Sequence, residues 1–400
     1  MARRSRLTRL PGKTVAGTCL CAWLAWLAVS ASGPTFSKGD LVRTIIDRKS
    51  SLQQIGAAAA ELCDKHLLEE PDEYRRVLGT LTAKSAWRSA LGIWDEMRWV
   101  GSELEEPDFV LGMKAFARGK YWQEALQLFA ELLGQQPPHL SEGRRRENLQ
   151  VDLRGYTAAI SCCKSVGEWP SAVQLLQDME DVAVTPDVVT YNAVMSACEK
   201  GRDYNAAERV MAEMTRWVVP PDKVTYGTLI GACGWGQQWE AALGYLRQAQ
   251  RSYFGFDLFA CTAAISACAK ASQWERALDV FQEDGRRVKG ASVRTYNALL
   301  SAFGASGNYE LALLLMEEMQ DSELIPNFMT YRYVVQSCES PGAWQLALDL
   351  VAEMKDIQIE PKQLIFGSVA AACRSAGLEE LARSFDWEEP STDGELQSER

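Results

Sequence analysis

Two sets of small polar residues keep a fixed step along this chain. Thr157, Asn192, Gly227, Thr262 and Asn297 lie 35 residues apart, and Asp187, Asp222, Asp257, Ser292 and Asn327 keep the same interval. Hydroxyl, amide and carboxylate groups donate or accept hydrogen bonds. A regular row of them suits recognition along a long surface better than bond-making at one centre. Catalytic chemistry has little to work with. The chain holds two histidines, His66 and His139, and neither a Cys-x-x-Cys nor a His-x-Glu pair, so zinc ligation of the usual spacing and histidine catalysis are poorly supported. No metal or cofactor is implied.

The elements that must carry this row are legible from other columns of the same period. Trp169, Tyr204, Trp239, Trp274, Tyr309 and Trp344 form one, and Tyr156, Tyr191, Tyr226, Cys261, Tyr296, Tyr331 and Phe366 another. A period of roughly 20 to 50 residues marks a repeat array. In unit 188–222, Tyr191, Val194, Met195 and Cys198 fall at helical spacing on one apolar stripe, helix A. Lys200 to Asp203 is the turn, where Gly201 suits a left-handed cap. Tyr204, Ala207, Met211 and Met214 carry helix B, and the alanine column through Ala172, Ala207, Ala242, Ala277, Ala312 and Ala347 lets the pair approach closely. Pro221 ends the unit and Asp222 can cap the next helix. Stacked hairpins bury faces that no single hairpin can bury. The fold class is therefore all-α, a right-handed superhelical solenoid of about eight to nine helical hairpins.

The columns define units 153–187, 188–222, 223–257, 258–292, 293–327 and 328–362, with a partial unit 363–387. Upstream, 71–108 fits with a three-residue excess, and 109–152 is irregular, with Trp122 and Ala125 three residues early and an insertion over 134–150. Residues 51–70 read as an N-terminal capping helix, and 388–400 as an acidic tail. Six of the eleven cysteines (Cys163, Cys198, Cys233, Cys268, Cys338 and Cys373) occupy one column. Equivalent helix positions one repeat apart are separated by roughly 10 Å, beyond disulfide reach of about 7 Å between Cα atoms. They read as small buried residues.

Charge is uneven. Residues 1–50 carry nine Lys/Arg against two Asp/Glu, which leaves 51–400 with 33 basic and 51 acidic residues, a net of −18. An acidic body argues against sequence-blind binding to phosphate backbones. In the leader, residues 1–31, a basic stretch from Arg3 to Lys13 precedes an apolar run, Val15 to Ala31, with a small-residue exit. This is the order of a signal peptide. Residues 32–50 are mildly basic and transit-like, and the pair resembles the bipartite leaders of algae with complex plastids. The plastid is the expected destination and the mitochondrion the alternative. A retained leader would anchor the chain to a membrane.

Val-Val-Thr-Tyr-Asn-Ala-Val-Met-Ser-Ala-Cys at 188–198, the Ala-x-x-x-Met pattern of helix B and the closing Pro-Asp at 221–222 resemble pentatricopeptide repeats of the algal type without a catalytic domain. The resemblance covers 71–387 and is strongest over 153–362. It implies a non-enzymatic protein that binds single-stranded organellar RNA, one nucleotide per repeat. By that resemblance the residue after the tyrosine and the residue after the closing proline choose the base, and the second residue of each unit packs against bases. Thr157 with Asp187 then resembles a guanine pair, Asn192 with Asp222 a uracil pair, and Asn297 with Asn327 a cytosine-or-uracil pair. Arg154, Val189 and Arg294 are the packing residues of those units. Gly227 with Asp257 lacks a first reading side chain, Thr262 pairs with Ser292 without a preceding proline, and Arg332 with Lys362 matches no pair. The implied site is 5′-G-U-N-N-(C/U).

A purely structural role competes for the second set, because Asp187, Asp222, Asp257, Ser292 and Asn327 all suit helix N-caps. The set after the tyrosine has no such excuse: packing gives no reason for small polar groups at mid-helix. Arg144 to Arg146 offers a phosphate contact or a solvated loop. The rival function is a protein–protein scaffold, which a −18 body would suit.

Overall fold

The computed structural model describes residues 37–47, 49–68, 70–101, 104–134, 151–251, 257–285, 291–340 and 342–385. The leader through residue 36, Arg144 to Arg146 and the acidic tail lie outside the described residues. Among the described residues every regular element is helical, giving the all-α hairpin solenoid that the period predicts. No helix among them is long and apolar enough to cross a membrane. The chain divides into two compact units, 1–102 and 103–400.

The first unit contains α1 (Lys38–Ile46), α2 (Leu52–Asp64), α3 (Pro71–Ala83) and α4 (Trp87–Val100). Ser51 caps α2 in a reciprocal capping box with Gln54. Helix α1 lies within the stretch 32–50 that reads as transit-like. Ser37 caps it, and Leu41 and Ile45, one turn apart, are buried against α2 and α3.

The second unit is a stack of hairpins, α5 (Glu106–Gly119) with α6 (Trp122–Leu132), α7 (Leu153–Val166) with α8 (Trp169–Asp181), α9 (Val188–Lys200) with α10 (Tyr204–Arg216), and α11 (Lys223–Trp235) with α12 (Trp239–Arg251). It continues through α13 (Leu258–Lys270) with α14 (Trp274–Val280), α15 (Val293–Ser306) with α16 (Tyr309–Asp321), α17 (Phe328–Ser337) with α18 (Trp344–Asp356), and α19 (Gln363–Ser375) with α20 (Glu379–Phe385). Each A helix packs on the A helix of the next hairpin, and each B helix is wedged between its own A helix and the following one. Helix B begins 16 residues after helix A in every hairpin, including 71 to 87 and 106 to 122. The hairpin at 106 is therefore regular. Phe109, fully buried, is its member of the tyrosine column, not the first residue of a unit. The irregularity is confined to the connection between α6 and α7.

Small side chains set the interior. The alanine column and the cysteine column are fully buried. Gly201 does not take the expected left-handed conformation: its φ is −73°, and Arg202 is the left-handed residue at +60°. Gly201 is needed for proximity instead, since a Cβ there would stand 2.5 Å from Trp169 and 2.7 Å from the Gly167 carbonyl. Burial pushes the thiols of Cys163, Cys198 and Cys233 up to about 12. Thiolate is the reactive form, so these cysteines should resist iodoacetamide at pH 8 in the native protein and be alkylated only after denaturation. Mass spectrometry of digests from both states reads this directly.

Candidate functional site

The two polar sets meet between neighbouring A helices. Asn192 on α9 projects toward the start of α11, where its Nδ2 donates to Asp222 Oδ1 at 3.0 Å. Thr225 Oγ1 donates to Asn192 Oδ1 at 2.6 Å, with Asp222 Oδ1 as its alternative acceptor at 2.9 Å. The Asp222 N–H donates to Thr225 Oγ1 at 3.0 Å, and the Thr225 N–H returns to Asp222 Oδ1 at 2.8 Å. One amide, one carboxylate and one buried hydroxyl thus form a closed rung between two repeats.

Asn297, Asn327 and Thr330 repeat the rung at 3.3 and 2.8 Å with a neutral amide in place of the carboxylate. In the first unit the link runs through the hydroxyl of Thr190, which lies 3.0 Å from Thr157 Oγ1 and 2.8 Å from Asp187 Oδ1. Thr262 stands 2.9 Å from Thr295 Oγ1, which lies 3.2 Å from Ser292 Oγ. Packing does claim the column after the tyrosine, contrary to expectation. Its partners are 30 and 33 residues away, so no single helix displays the need. Thr190, Thr225, Thr295 and Thr330, all fully buried, are the ladder residues missed in sequence. Their own 35-residue step from 190 to 225 and from 295 to 330 was the available signal.

The rungs fix orientation as well as position. With Asn192 Oδ1 pinned by a hydroxyl and Nδ2 by a carboxylate, the amide cannot flip, and one N–H and one lone pair remain to face outward. Burial pushes the Asp222 carboxyl up, but the Thr225 N–H, the Asn192 amide and the Thr225 hydroxyl outweigh it and hold its pKa below the usual value. It remains an anionic acceptor. One expected cap is missing. Asp257 stands at the N-cap of α13 without a side-chain cap bond, and Lys362 at that of α19 likewise. Arg332 instead lies over the Tyr333 ring, 5.7 Å from its centre.

Along the same face Val189 is 62% exposed, Val224, Phe259 and Leu364 are also exposed, and Arg154 and Arg294 replace the apolar residue in their units. A groove of about 870 Å³ runs across α11, α13, α15 and α17. It gathers Phe259, Thr262, Arg294, Asn297, Asn327 and Met329. Thr157, Asp187 and Asn192 lie outside it.

Charge is sorted between the layers. The seven A helices α7 to α19 carry eight Lys/Arg and one acid, Glu199, whereas the seven B helices α8 to α20 carry 17 acids and seven Lys/Arg. The B helices are therefore the acidic layer of the stack, and the rungs sit on the basic one. Among the described residues no group of His, Cys, Asp and Glu is placed to hold a metal.

Stacked hairpins with a hydrogen-bonded ladder along their A helices define the class, an α-solenoid repeat protein whose periodic face presents oriented polar groups. The chain belongs to the pentatricopeptide repeat family. The PPR repeat family model matches residues 186–234 and 291–340, the pentatricopeptide repeat domain model 140–201, and the PPR repeat model 224–254 and 259–283. Among solved structures it is similar to the pentatricopeptide repeat protein PPR10 of maize in complex with an 18-nt psaJ RNA element, with a TM-score of 0.57 at 16% identity over 91% of this chain. A cysteine-substituted PPR10 in the same complex gives the same values. The chain spans 60% of the length of those chains. No curated protein matches it.

Proposed function

We propose that the A-helix face binds single-stranded RNA, with the rungs at Asn192–Asp222 and Asn297–Asn327 selecting bases. The observation that carries this is the rung itself: paired side chains from adjacent repeats, locked in one orientation, on the basic layer of an acidic protein. The similar fold of PPR10, solved with an RNA element, supports it. An outward N–H and an outward lone pair on Asn192 match the O4 acceptor and N3–H donor of uracil. At the first unit the Asp187 carboxylate suits the N1–H and N2–H donors of guanine. Asn327, which can donate as well as accept, suits cytosine or uracil beside Asn297.

The protein acts by occupying a transcript, so as to stabilise it, guide its processing or aid its translation, without catalysis of its own. Its basic, apolar leader supports an organellar destination, the plastid before the mitochondrion, with membrane contact only through a retained leader. The B layer, with 17 acids against seven bases, supports protein partners as a second use of the solenoid.

A code exchange tests the assignment. Thr157→Asn rebuilds at the first unit the Asn–Asp–Thr rung seen at the second, because Asp187 and Thr190 already stand where Asp222 and Thr225 do. The preference at the first nucleotide should pass from guanine to uracil by about tenfold in Kd, on the order of 1–3 kcal/mol for a base-specific pair. Fluorescence anisotropy with short RNAs differing at that nucleotide measures it. Unchanged preference at that position would remove the base assignments.

A further inference from the structure

The unit 223–257 lacks the amide and the hydroxyl of its rung and leaves the carboxylate uncapped. Gly227 stands where Asn192 and Asn297 supply the amide, Ala260 stands where Thr225 and Thr330 supply the hydroxyl, and Asp257 makes no side-chain cap bond. Losing one polar member would leave the others unpaired. Losing the amide and the hydroxyl together leaves neither without the other, Asp257 stays half-buried at the N-cap, and an aromatic ring has taken the place of the amide. Phe259 lies directly on Gly227: a Cβ at 227 would stand 2.4 Å from both Cδ1 and Cε1 of the ring. Gly227 has ordinary helical φ, so its lack of a side chain serves this approach and not the backbone.

Phe259 nonetheless remains 52% exposed and opens into the groove beside Thr262 and Arg294. The other aromatic rings lining that groove already carry cations. Lys270 Nζ and Arg202 Cζ lie 3.4 and 4.3 Å from the Trp235 ring centre, and Arg332 lies against Tyr333. Val224, one turn before Gly227 on α11 and also exposed, flanks the position on its other side.

We infer that this unit selects its nucleotide by stacking on Phe259 and not by hydrogen bonding, so that the third nucleotide is ranked by ring area, purines above pyrimidines. The inference rests on the RNA-binding reading above and extends it from an unspecified third position to a purine-preferring one. A bare glycine offers no donor or acceptor to separate adenine from guanine, whereas stacking on an aromatic side chain tolerates any base and scales with its face. Neighbouring rungs discriminate by edge; this one discriminates by size.

The test uses the full chain and short single-stranded RNAs of the form 5′-G-U-N-U-C, with N as adenine, guanine, cytosine, uracil or an abasic ribose. Adenine and guanine should both bind about three- to tenfold more tightly than the pyrimidines. The abasic RNA should lose roughly five- to hundredfold, the range for one base–aromatic stack. Phe259→Ala and the volume-preserving Phe259→Leu should both flatten the ranking at N while leaving the response to uracil at the second nucleotide intact. That retained response also reports that each variant is folded. Gly227→Asn with Phe259→Val should rebuild a polar position and turn N toward uracil.

An abasic nucleotide that binds as well as adenine, or a purine preference that survives Phe259→Leu, overturns this inference and leaves the RNA-binding reading standing. Absence of binding to every RNA overturns both.

Discussion

Thr225→Val is expected to lower stability by about 2–3 kcal/mol and to erase the preference for uracil at the second nucleotide, although Thr225 is fully buried and cannot touch RNA. Valine keeps the shape of threonine and removes the hydroxyl. The Asp222 N–H then loses its acceptor at 3.0 Å and Asn192 Oδ1 its donor at 2.6 Å. Each polar group left without a partner in a buried site costs about 1–3 kcal/mol, and the partial exposure of Asn192 lets water recover some of it. The amide of Asn192, released at one end, can flip, and a flipped amide presents donor and acceptor in the wrong order. Thr225→Ser should keep both properties. Urea denaturation followed by anisotropy with uracil- and cytosine-bearing RNAs measures the two effects. A valine variant with wild-type stability and preference would show that the ladder neither holds the repeats nor aims the amide.

A second large effect lies in the B layer. The Glu213 carboxyl, half-buried beside Glu180, is pushed up to about 7, first by burial, then by the hydrogen bond and charge of Glu180; Arg216 opposes the shift. Glu180 is held in place by the Trp217 indole N–H at 2.6 Å and faces Arg216 at 3.7 Å. The folded state therefore binds a proton that the unfolded chain releases above its ordinary carboxylate range. Glu213 contributes stability that is fully present below about pH 4.5 and is lost as pH rises through about 7. A shift of that size has a ceiling of about 3 kcal/mol, and solvent screening at a partly exposed site reduces it to about 1–2 kcal/mol. Glu213→Gln keeps the hydrogen bond and abolishes the titration. The variant should be more stable than the wild type at pH 8, and the difference should vanish near pH 4.5. Denaturation midpoints across pH measure it, and parallel pH profiles for the two proteins would contradict it.

The solenoid was readable because a buried column admits few residue types. Tyr191, Cys198 and Ala207 recur at 35 residues wherever the same two helices must approach. The reading failed where a column changes type. Phe109 fills the tyrosine position at the hairpin beginning at Glu106, and taking it for a first residue displaced that unit by three. Helix α1 escaped because only Leu41 and Ile45 face the core, too short a stripe to stand out in a basic segment. The ladder was half legible. Its members after the tyrosine announced themselves as polar residues at mid-helix, whereas Thr225 and Thr330 sit inside apolar runs and act on residues of another repeat. Net charge misled for a related reason: summed over the chain it hides a basic A layer beneath an acidic B layer.

The most direct test of the account is the affinity of the full chain for 5′-G-U-A-U-C RNA and for a scrambled sequence, measured across a salt series. With only a few cations on the A-helix face (Arg154, Lys270, Arg294 and Arg332), log Kd should change with log salt by a slope of about 2–3, near 0.7 per phosphate contact. The cognate RNA should keep a tenfold or greater advantage over the scrambled one at every salt concentration, since the rungs and not the phosphates discriminate. Equal binding of the two sequences, or no binding at low salt, would contradict it.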